Sequence, residues 1–581
     1  MEACQVLRFD FGQADESLVF DQPVAVFHAS SPEEVRSALE QAEQARRSGL
    51  WLAGFLSYEA SPGLDPMLVA QESDGFPLVW LGAYRAPTHH TVPRPETSYR
   101  VGPWQTHGMT PQIYGVRIAS IHDAIRAGLT YQVNYTMRWD ASFSGSAYAW
   151  YVDLRQVNPR TYGAYLEVDP YRVASLSPEL FFHLDGTRIV TRPMKGTATR
   201  GAYATTDAAH RRVLVQSAKE QAENVMIVDL MRNDIGRLAR VGTVGVDRLF
   251  EVEQYPTVWQ LTSTVSAELA PEVTWVDIMK NLFPAGSITG APKAQTMKII
   301  RDLETAPRGL YCGTIGYVCP SGEALFSVAI RTAVINQSTG RVTFGTGGGI
   351  TWDSHAEAEY REAWAKAAFL STATNDFALV ETTRLTDGCL MLMDYHTDRL
   401  HHAVEYFGWP WHPERVRETW ARAIQTTGRW RVRLLYHRDG SVRLELLPLS
   451  PHSQGRQSVA YASHPMPPAD VWSWHKTTCR DRYLTHHAEP SPWFDRLLYT
   501  ESGEVTEFTR GNLVVRTDTG WLTPRMEAGL LPGTFRQWLL DTGVIREARL
   551  TLQDVAQAEQ HWFINSVRGW VPVRLMGDLP R

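Results

Sequence analysis

A chain of 581 residues, 44% hydrophobic and 21% charged, has the composition of a soluble globular protein, and its length predicts three or four structural units. The 57 basic and 63 acidic side chains give a net charge of −6, which argues against a general nucleic-acid surface. No apolar run reaches the length of a membrane span, and the acidic start MEACQVLRFDFGQADESL is unlike a signal peptide. Five scattered cysteines (Cys4, Cys312, Cys319, Cys389, Cys479) form no C-x-x-C pair, which predicts reduced thiols in a cytoplasm.

Up to about residue 86, strand-like runs (Leu18–Phe20, Val24–Phe27, Leu50–Leu56, Leu78–Tyr84) surround one helix at Pro32–Arg47. Ala86–Trp104 is rich in Pro and His without periodicity and reads as a surface connection. His89 and His90 have no acidic or cysteine neighbour there, so they read as loop histidines. Ile113–Gly128 has the pattern of an amphipathic helix, Thr130–Trp139 of an alternating strand, and Phe181–Val190 of a hairpin turning at Asp185-Gly186. Thr191–Thr197 (TRPMKGT) is bounded by proline and ends in Gly-Thr, which predicts Lys195 on a turn at a strand end, facing a cavity.

Lys219–Asp234 (KEQAENVMIVDLMRND) reads as a mostly buried helix through Val225, Met226, Val228, Leu230 and Met231. It nevertheless carries Glu220 and Glu223 one turn apart. Carboxylates on a buried helix need a cation or donors to satisfy them, and a structural ion pair would look the same. Phe283–Lys293 (FPAGSITGAPK) opens a helix through Arg301, offering backbone N–H groups to an anion but lacking the spacing of a nucleotide-binding P-loop. Leu325–Ile330 runs into Arg331, and Val342–Ile350 enters Gly347, Gly348 and Gly349, where backbone amides can approach a substrate closely. The helix Asp353–Leu370 repeats the acidic motif with Glu359 and Glu362 one turn apart. Two such helices, a glycine run and an arginine suit an anionic substrate bridged by a hard cation such as magnesium.

The motifs TYQVNYT, SLSPE (Ser175–Glu179), RPMKGT, AENVMIVDLMRND, GSITGAPK, RGLYCGTIGY (Arg308–Tyr317) and GTGGGITWDSHAEAEYRE occur in this order. Residues 110 to 370 thereby resemble the chorismate-utilising enzymes, the group of anthranilate, aminodeoxychorismate, isochorismate and salicylate synthases. The resemblance implies a two-lobed antiparallel β-sandwich with helices. It also implies that Glu223 and Glu362, with Glu220 and Glu359 beside them, hold Mg2+. Tyr311, Arg331 and the amides of Gly347, Gly348 and Gly349 would contact chorismate carboxylates, and Ser287 would lie beside the ring. Aminodeoxychorismate synthases carry a lysine at position 195, proposed to attack ring carbon C2, where anthranilate synthases carry a small residue. Salicylate and isochorismate synthases also hold a lysine near this place, as a base for water. Gln260 departs from the pattern: many relatives have histidine there, and an amide cannot transfer a proton near neutral pH. The N-terminal GFLSYEA (Gly54–Ala60) resembles the family's smaller N-terminal part only loosely.

After a short polar connection at Ser371–Asp376 a new pattern begins. Leu379–Asp398 reads as two strands about a Thr-Asp-Gly turn, then a helix through Gly408 carrying Arg399. Trp430–Leu447 reads as a hairpin turning at Asp439-Gly440, and Pro448–Gln457 as a hinge loop. Leu497–Leu513 is again hairpin-like, turning at Ser502-Gly503. The motifs YHTDRL, HKTTCR, GEVTEFTRGNLVV, LTPRMEAGLLPGTFR and INSVRGWVPV make residues 377 to 575 resemble the fold-type IV pyridoxal phosphate enzymes, which include branched-chain and D-amino-acid aminotransferases and aminodeoxychorismate lyase. The resemblance implies Lys476 as the cofactor lysine and Glu507 as the acid facing the pyridine nitrogen. It implies Arg399, the amides of Thr534 and Phe535, and Ser566 as the phosphate cradle. Cys479 stands where asparagine is common.

Together the resemblances predict a multidomain α+β and α/β chain: residues 1–104 as the N-terminal part of a synthase unit, 105–371 as its chorismate-binding domain, and 377–450 and 458–581 as the two subdomains of a pyridoxal 5'-phosphate lyase. The implied activity turns chorismate and ammonia into 4-amino-4-deoxychorismate, then releases pyruvate to leave 4-aminobenzoate. No segment resembles a glutamine amidotransferase, so ammonia is expected from a separate subunit or from solution. An anthranilate-type or salicylate-type synthase fused to a transaminase stays open, as does a homodimer through the second half.

Overall fold

The computed structural model describes residues 6–11, 17–89, 95, 97–106, 108–158, 161–201, 203–255, 258–367, 370, 377–449, 455–484, 486 and 492–580. Cys4, His90, the connection 371–376 and the middle of the loop 448–457 lie outside the described residues. The chain divides into two compact units, Met1–Thr199 with Arg211–Thr374, and Arg200–His210 with Asn375–Arg581.

The first unit is built on two antiparallel sheets. One runs in the order Gly290–Ala291, Gln132–Gly145, Arg341–Ile350, Thr332–Asn336, Tyr171–Ser177, Tyr162–Val168, Leu7–Phe11, Leu18–Phe20, Thr88–His89. The other runs Met194–Thr199, Val258–Glu268, Arg188–Arg192, Leu180–Asp185, Ala324–Val328, Thr314–Val318, Trp51–Leu56, Val79–Tyr84, Ala25–Ala29. Leu7, Phe9 and Phe20 of the first sheet and Phe55, Trp80 and Ile315 of the second form one buried cluster between them. Each such side chain contributes roughly 1.5–3 kcal/mol by leaving water. The outer faces are covered by helices. Pro32–Arg47, Ala218–Gly236 and Trp275–Leu282 pack on the second sheet, and Pro111–Arg126, Ala147–Val157 and Ala356–Ala367 on the first. This is the helix-covered β-sandwich that the motifs implied.

Local chemistry explains where elements start. Pro32 opens its helix, and the Glu34 carboxylate accepts the N–H groups of Ser30 at 2.7 Å and Ser31 at 3.2 Å, satisfying donors the helix leaves free. Ser217 caps the acidic helix by accepting from the Glu220 N–H at 3.3 Å. Four expectations change. Lys195 sits inside the strand Met194–Thr199 and not on a turn: the pairing with Val258–Glu268 slips between Met194 and Thr197, and Gly196 takes φ +93°. Such a bulge turns the lysine toward the cavity while the strand continues. The strand expected at Thr130–Trp139 runs over Gln132–Gly145 and is buried on both faces through its first half, because the sheet is covered on both sides. Val225 is exposed on the acidic helix, and His89 belongs to a two-residue strand paired with Leu18.

The second unit holds a four-stranded antiparallel sheet in the order Cys389–Leu390, Leu379–Thr386, Arg429–Tyr436, Val442–Pro448. One of its faces packs Leu385, Val432 and Leu434 against Leu400, Val404, Val416 and Trp420 of two helices. An eight-stranded mixed sheet follows, with Gln457–Tyr461 parallel to both its neighbours and Gly520–Pro524 parallel to Arg546–Ala548. Among the described residues no helix is long and apolar enough to cross a membrane.

Candidate active sites

In the first unit one cavity of about 190 Å³ is lined by Lys195, Glu220, Glu223, Ser287, Tyr311, Arg331, Gly347–Gly349, Glu359 and Glu362. Every residue that the sequence proposed for this half therefore faces a single space, with Gln260 on its wall. Lys195 is held by its backbone: the Asn224 amide of the acidic helix donates to the Lys195 carbonyl at 3.1 Å, and the Ser263 hydroxyl donates to Asn224 at 2.5 Å. Burial draws the Lys195 pKa below its ordinary value, and Lys366 adds to this while Glu223, Glu362 and Glu359 oppose it. Its amine lies against Gly349, where an added Cβ would stand 2.1 Å from the nitrogen and 2.5 Å from the Gln132 amide nitrogen.

The four acidic side chains are unequal. Burial raises the Glu220 carboxyl, and the charge of Glu223 raises it further; Glu359 is raised by burial and by Glu362. Glu362 is lowered, first by Lys366, whose amine is 2.7 Å away. Glu223 pairs with Lys219 at 3.9 Å, and Glu359 accepts from the Ser354 hydroxyl at 2.7 Å. Among the described residues no three acids converge closely enough to enclose a metal ion. All-carboxylate donors on two helices, repelling one another across one cavity, nevertheless have the chemistry that suits magnesium.

The anion side faces them. Arg331 links the two sheets in the left-handed region, φ +50°, a conformation that an arginine holds only where its surroundings enforce it. Its guanidinium lies 5.4 Å from the Tyr255 ring, and burial pulls its pKa down with no carboxylate paired to it among the described residues. The strand Arg341–Ile350 pairs with Thr332–Asn336 only as far as Phe344, whereas Gly347–Gly349 pair with Gln132–Gly145 alone. Backbone groups on the other edge of that glycine run therefore open toward the cavity. An added Cβ on Gly348 would come within 3.2 Å of a Glu359 oxygen. Tyr311 is buried with the Arg138 guanidinium 5.1 Å from its ring, and burial raises its pKa far above the usual range.

Three residues here escaped the sequence reading. Glu179 is buried, accepts from the Ser287 hydroxyl at 2.5 Å, and is pushed by burial up to about 7, with Ser287 and Lys195 opposing. Ser287 is therefore the partner of an acid. Gln132 is fully buried, and among the described residues neither atom of its amide has a partner. Lys366 donates to the Gly347 carbonyl at 2.8 Å as well as to Glu362. Glu179 and Gln132 stood inside quoted motifs, where a buried polar residue was the available signal. Gln260 is committed to backbone support: its amide donates to the Gly196 carbonyl at 2.8 Å and accepts from the Thr197 hydroxyl at 3.0 Å.

In the second unit Lys476 follows a one-turn helix, and its carbonyl accepts from the Val380 N–H at 2.8 Å. Burial lowers its amine to about 7, and Arg399 and Arg480 add to this while Glu381 and Glu507 oppose it. Glu507 is buried and pushed by that burial up to about 7, although it accepts from the Tyr483 hydroxyl at 2.9 Å and the Asn512 amide at 3.4 Å. Arg399 clasps Glu381 with two bonds of 2.9 and 2.6 Å and donates to the Pro532 carbonyl at 3.0 Å. Burial works to raise Glu381, but Arg399 and His396 outweigh it and hold the carboxyl at about 2. His396 bonds Glu381 at 2.5 Å and the Thr534 hydroxyl at 3.1 Å, and Thr534 reaches the Ser566 hydroxyl at 2.5 Å. Thr534 and Phe535 open the helix Thr534–Asp541. Arg399, Thr534 and Ser566 are thus linked through one hydrogen-bonded chain, with Arg399 anchored by a buried Glu381–His396 pair that no local pattern announces. A near-neutral lysine, an acid with two donors, and hydroxyls at a helix start fit the donor set for pyridoxal phosphate.

Comparisons with known proteins agree with both halves. Residues 5–372 match the family model of the chorismate binding enzymes, and residues 378–576 that of class IV aminotransferases. Aminodeoxychorismate synthase component 1 of Escherichia coli K12 is 42% identical over 263 residues, covering 45% of this chain and 57% of that protein. Anthranilate synthase component 1 of Cereibacter sphaeroides is 37% identical over 270 residues, covering 46% and 54%. The chain thus spans less than two thirds of either relative. The crystal structure of anthranilate synthase component I from Streptococcus pneumoniae TIGR4 superposes with a TM-score of 0.53 at 26% identity, covering 62% of this chain and 92% of that one.

Proposed function

The chain belongs to the chorismate binding enzymes, and on that footing we propose that its first unit converts chorismate and ammonia into 4-amino-4-deoxychorismate and its second eliminates pyruvate to give 4-aminobenzoate. The observation that carries this reading is the amine of Lys195, depressed by burial and held in the cavity that carries both carboxylate pairs and Arg331. A neutral amine there can attack ring carbon C2 while both ring double bonds shift, C1=C2 to C1=C6 and C5=C6 to C4=C5, and the C4 hydroxyl departs. Ammonia then enters at C4, both double bonds shift back, and Lys195 leaves C2. One difficult displacement becomes two allylic ones.

Glu179, near neutrality and beside Lys195, supplies the proton that lets the hydroxyl leave as water. This removes the difficulty raised by Gln260, which supports the bulge around Lys195. Arg331, Tyr311 and the Gly347–Gly349 edge take the carboxylates. Glu220, Glu223, Glu359 and Glu362 would hold magnesium, which when bound anchors and neutralises the ring carboxylate. Ammonia comes from a separate glutamine amidotransferase subunit, a reading supported by the component 1 relatives.

In the second unit Lys476, Glu507, Arg399, Thr534, Phe535 and Ser566 would hold pyridoxal 5'-phosphate, which when bound supplies an electron sink. Lys476, lowered to about 7, accepts the proton from C4, the carbon bearing the amine. The bond from C3 to the enolpyruvyl oxygen breaks, and the ring becomes aromatic. The anthranilate synthases among the relatives favour one second reading, amination at C2, the ring carbon that Lys195 would otherwise attack. Chromatography with mass analysis of products from chorismate, ammonium, magnesium and pyridoxal phosphate decides: 4-aminobenzoate is expected, and anthranilate or salicylate would overturn the proposal.

A further inference from the structure

On the small sheet of the second unit, Arg384 lies directly opposite Arg431 across an antiparallel pair, with Arg429 opposite Thr386 two residues along. Like charges so placed repel, and a strand pair carries them only at some loss of stability. Two neighbours show how such charge is otherwise neutralised: Arg433 on the same strand face pairs with Glu445 at 3.2 Å, and Arg510 with Asp495 at 3.2 Å. Among the described residues none of Arg384, Arg429 and Arg431 has a carboxylate at ion-pair distance. Arg384 is half-buried, and its pKa is lowered by burial and then by Arg429.

The cluster borders the site already described. Val380, whose N–H meets the Lys476 carbonyl, lies on the same strand face as Arg384, four residues or about 13 Å along. At its other end the Arg384 guanidinium reaches the Val567 carbonyl at 3.5 Å, next to Ser566. Arg568 follows, its pKa lowered by burial and by Arg510 and Arg431, with Asp495 opposing. The opposite face of the sheet is filled by Leu385, Val432 and Leu434, so Arg384, Arg429 and Arg431 share the other face, the one that carries Val380.

Guanidinium groups match carboxylates in shape and charge, and several together select for more than one negative charge. We propose that Arg384 and Arg431, with Arg429 and Arg568 around them, form a carboxylate subsite that makes the second unit specific for a small dicarboxylate amine over a monocarboxylate amino acid. The inference rests on the reading of that unit as acting on a dicarboxylate, and it adds the residues that would select one.

The test uses the full chain loaded with pyridoxal phosphate, supplied directly with 4-amino-4-deoxychorismate, reading pyruvate release. Arg384→Gln and Arg431→Gln should each raise KM about tenfold or more with kcat changed less than twofold, as expected for a lost charge-assisted contact. Arg384→Lys should recover part of the loss. A second readout is independent of the lyase reading: isophthalate and benzoate, titrated against the absorbance of the bound cofactor. The wild type should bind the dicarboxylate at least tenfold more tightly, and the two glutamine variants should lose that preference. If no pyruvate is released but the isophthalate preference is present and lost in both variants, the lyase reading fails and the subsite stands. Equal binding of the two probes by the wild type, unchanged KM and preference in the variants, or a change confined to oligomeric state would overturn the subsite.

Discussion

The position of the Lys195 amine makes Gly349→Ala an informative perturbation. The added Cβ would stand 2.1 Å from the Lys195 nitrogen, whereas unstrained contacts lie near about 3.5 Å. The amine must therefore move by more than about 1 Å. It ends a flexible side chain, the Gln132 amide nitrogen 2.5 Å away is likewise the end of a side chain and must shift with it, and Gly349 is not in the left-handed region, so the backbone accepts alanine. Overpacking of this kind destabilises by roughly 1–3 kcal/mol, and the reduced freedom of the unfolded chain returns about 0.4–1 kcal/mol of it. The melting temperature of the first unit should therefore fall by only a few degrees. Chemistry is less forgiving, since a displacement of about 1 Å can slow a positioned reaction roughly 100-fold, about 2.7 kcal/mol in the barrier. The assay follows chorismate consumption with ammonium and magnesium, alongside pyruvate release from supplied intermediate. Loss of the first with retention of the second is expected. Full chorismate turnover in Gly349→Ala would refute the placement of the nucleophile.

Two further outcomes follow from the electrostatics. With Glu179 raised to about 7 in the fold against an ordinary 4.5, the folded first unit binds a proton more tightly than the unfolded chain. Its contribution to stability is therefore full below pH 4.5 and lost as pH rises through about 7. Glu179→Gln should remove up to about 3 kcal/mol of that pH dependence in calorimetric scans. It should also slow chorismate turnover about 100-fold or more and abolish the fall in wild-type rate as pH rises past about 7. A stability difference that does not change between pH 4.5 and 7 would show that this acid is not buried as described. For the second unit, Lys476→Ala should stop the chain at 4-amino-4-deoxychorismate and remove the visible absorbance of bound cofactor, leaving chorismate consumption intact; a variant that keeps that absorbance points to another lysine.

How legible the protein was depends on the range of the interaction. The helix Pro32–Arg47 was readable because proline, serine and glutamate set its start within four residues. The two carboxylate helices were readable because their pairs recur at one-turn spacing. What sequence hid is contact between distant segments. Leu7 pairs with Leu166, and Trp51–Leu56 joins the second sheet through Thr314–Val318, so the N-terminal strands belong to both walls of the sandwich. The bulge at Lys195 depends on Gln260 and Asn224, from a strand 63 residues and a helix 29 residues away, and no local pattern announces it. Glu179 looked like part of a motif until its burial and its bond to Ser287, 108 residues on, gave it a chemical task. Motif resemblance supplied the membership of both sites, and packing supplied the division of labour within them.

In the proposed reaction the amine at position 195 is the nucleophile of the first unit. The direct measurement is the steady-state rate of chorismate consumption by Lys195→Ala with saturating ammonium and magnesium, using pyruvate release from supplied intermediate as the control for folding. A fall of at least about 100-fold in the first rate, with the second unchanged, is expected. A first rate within about threefold of the wild type would contradict it.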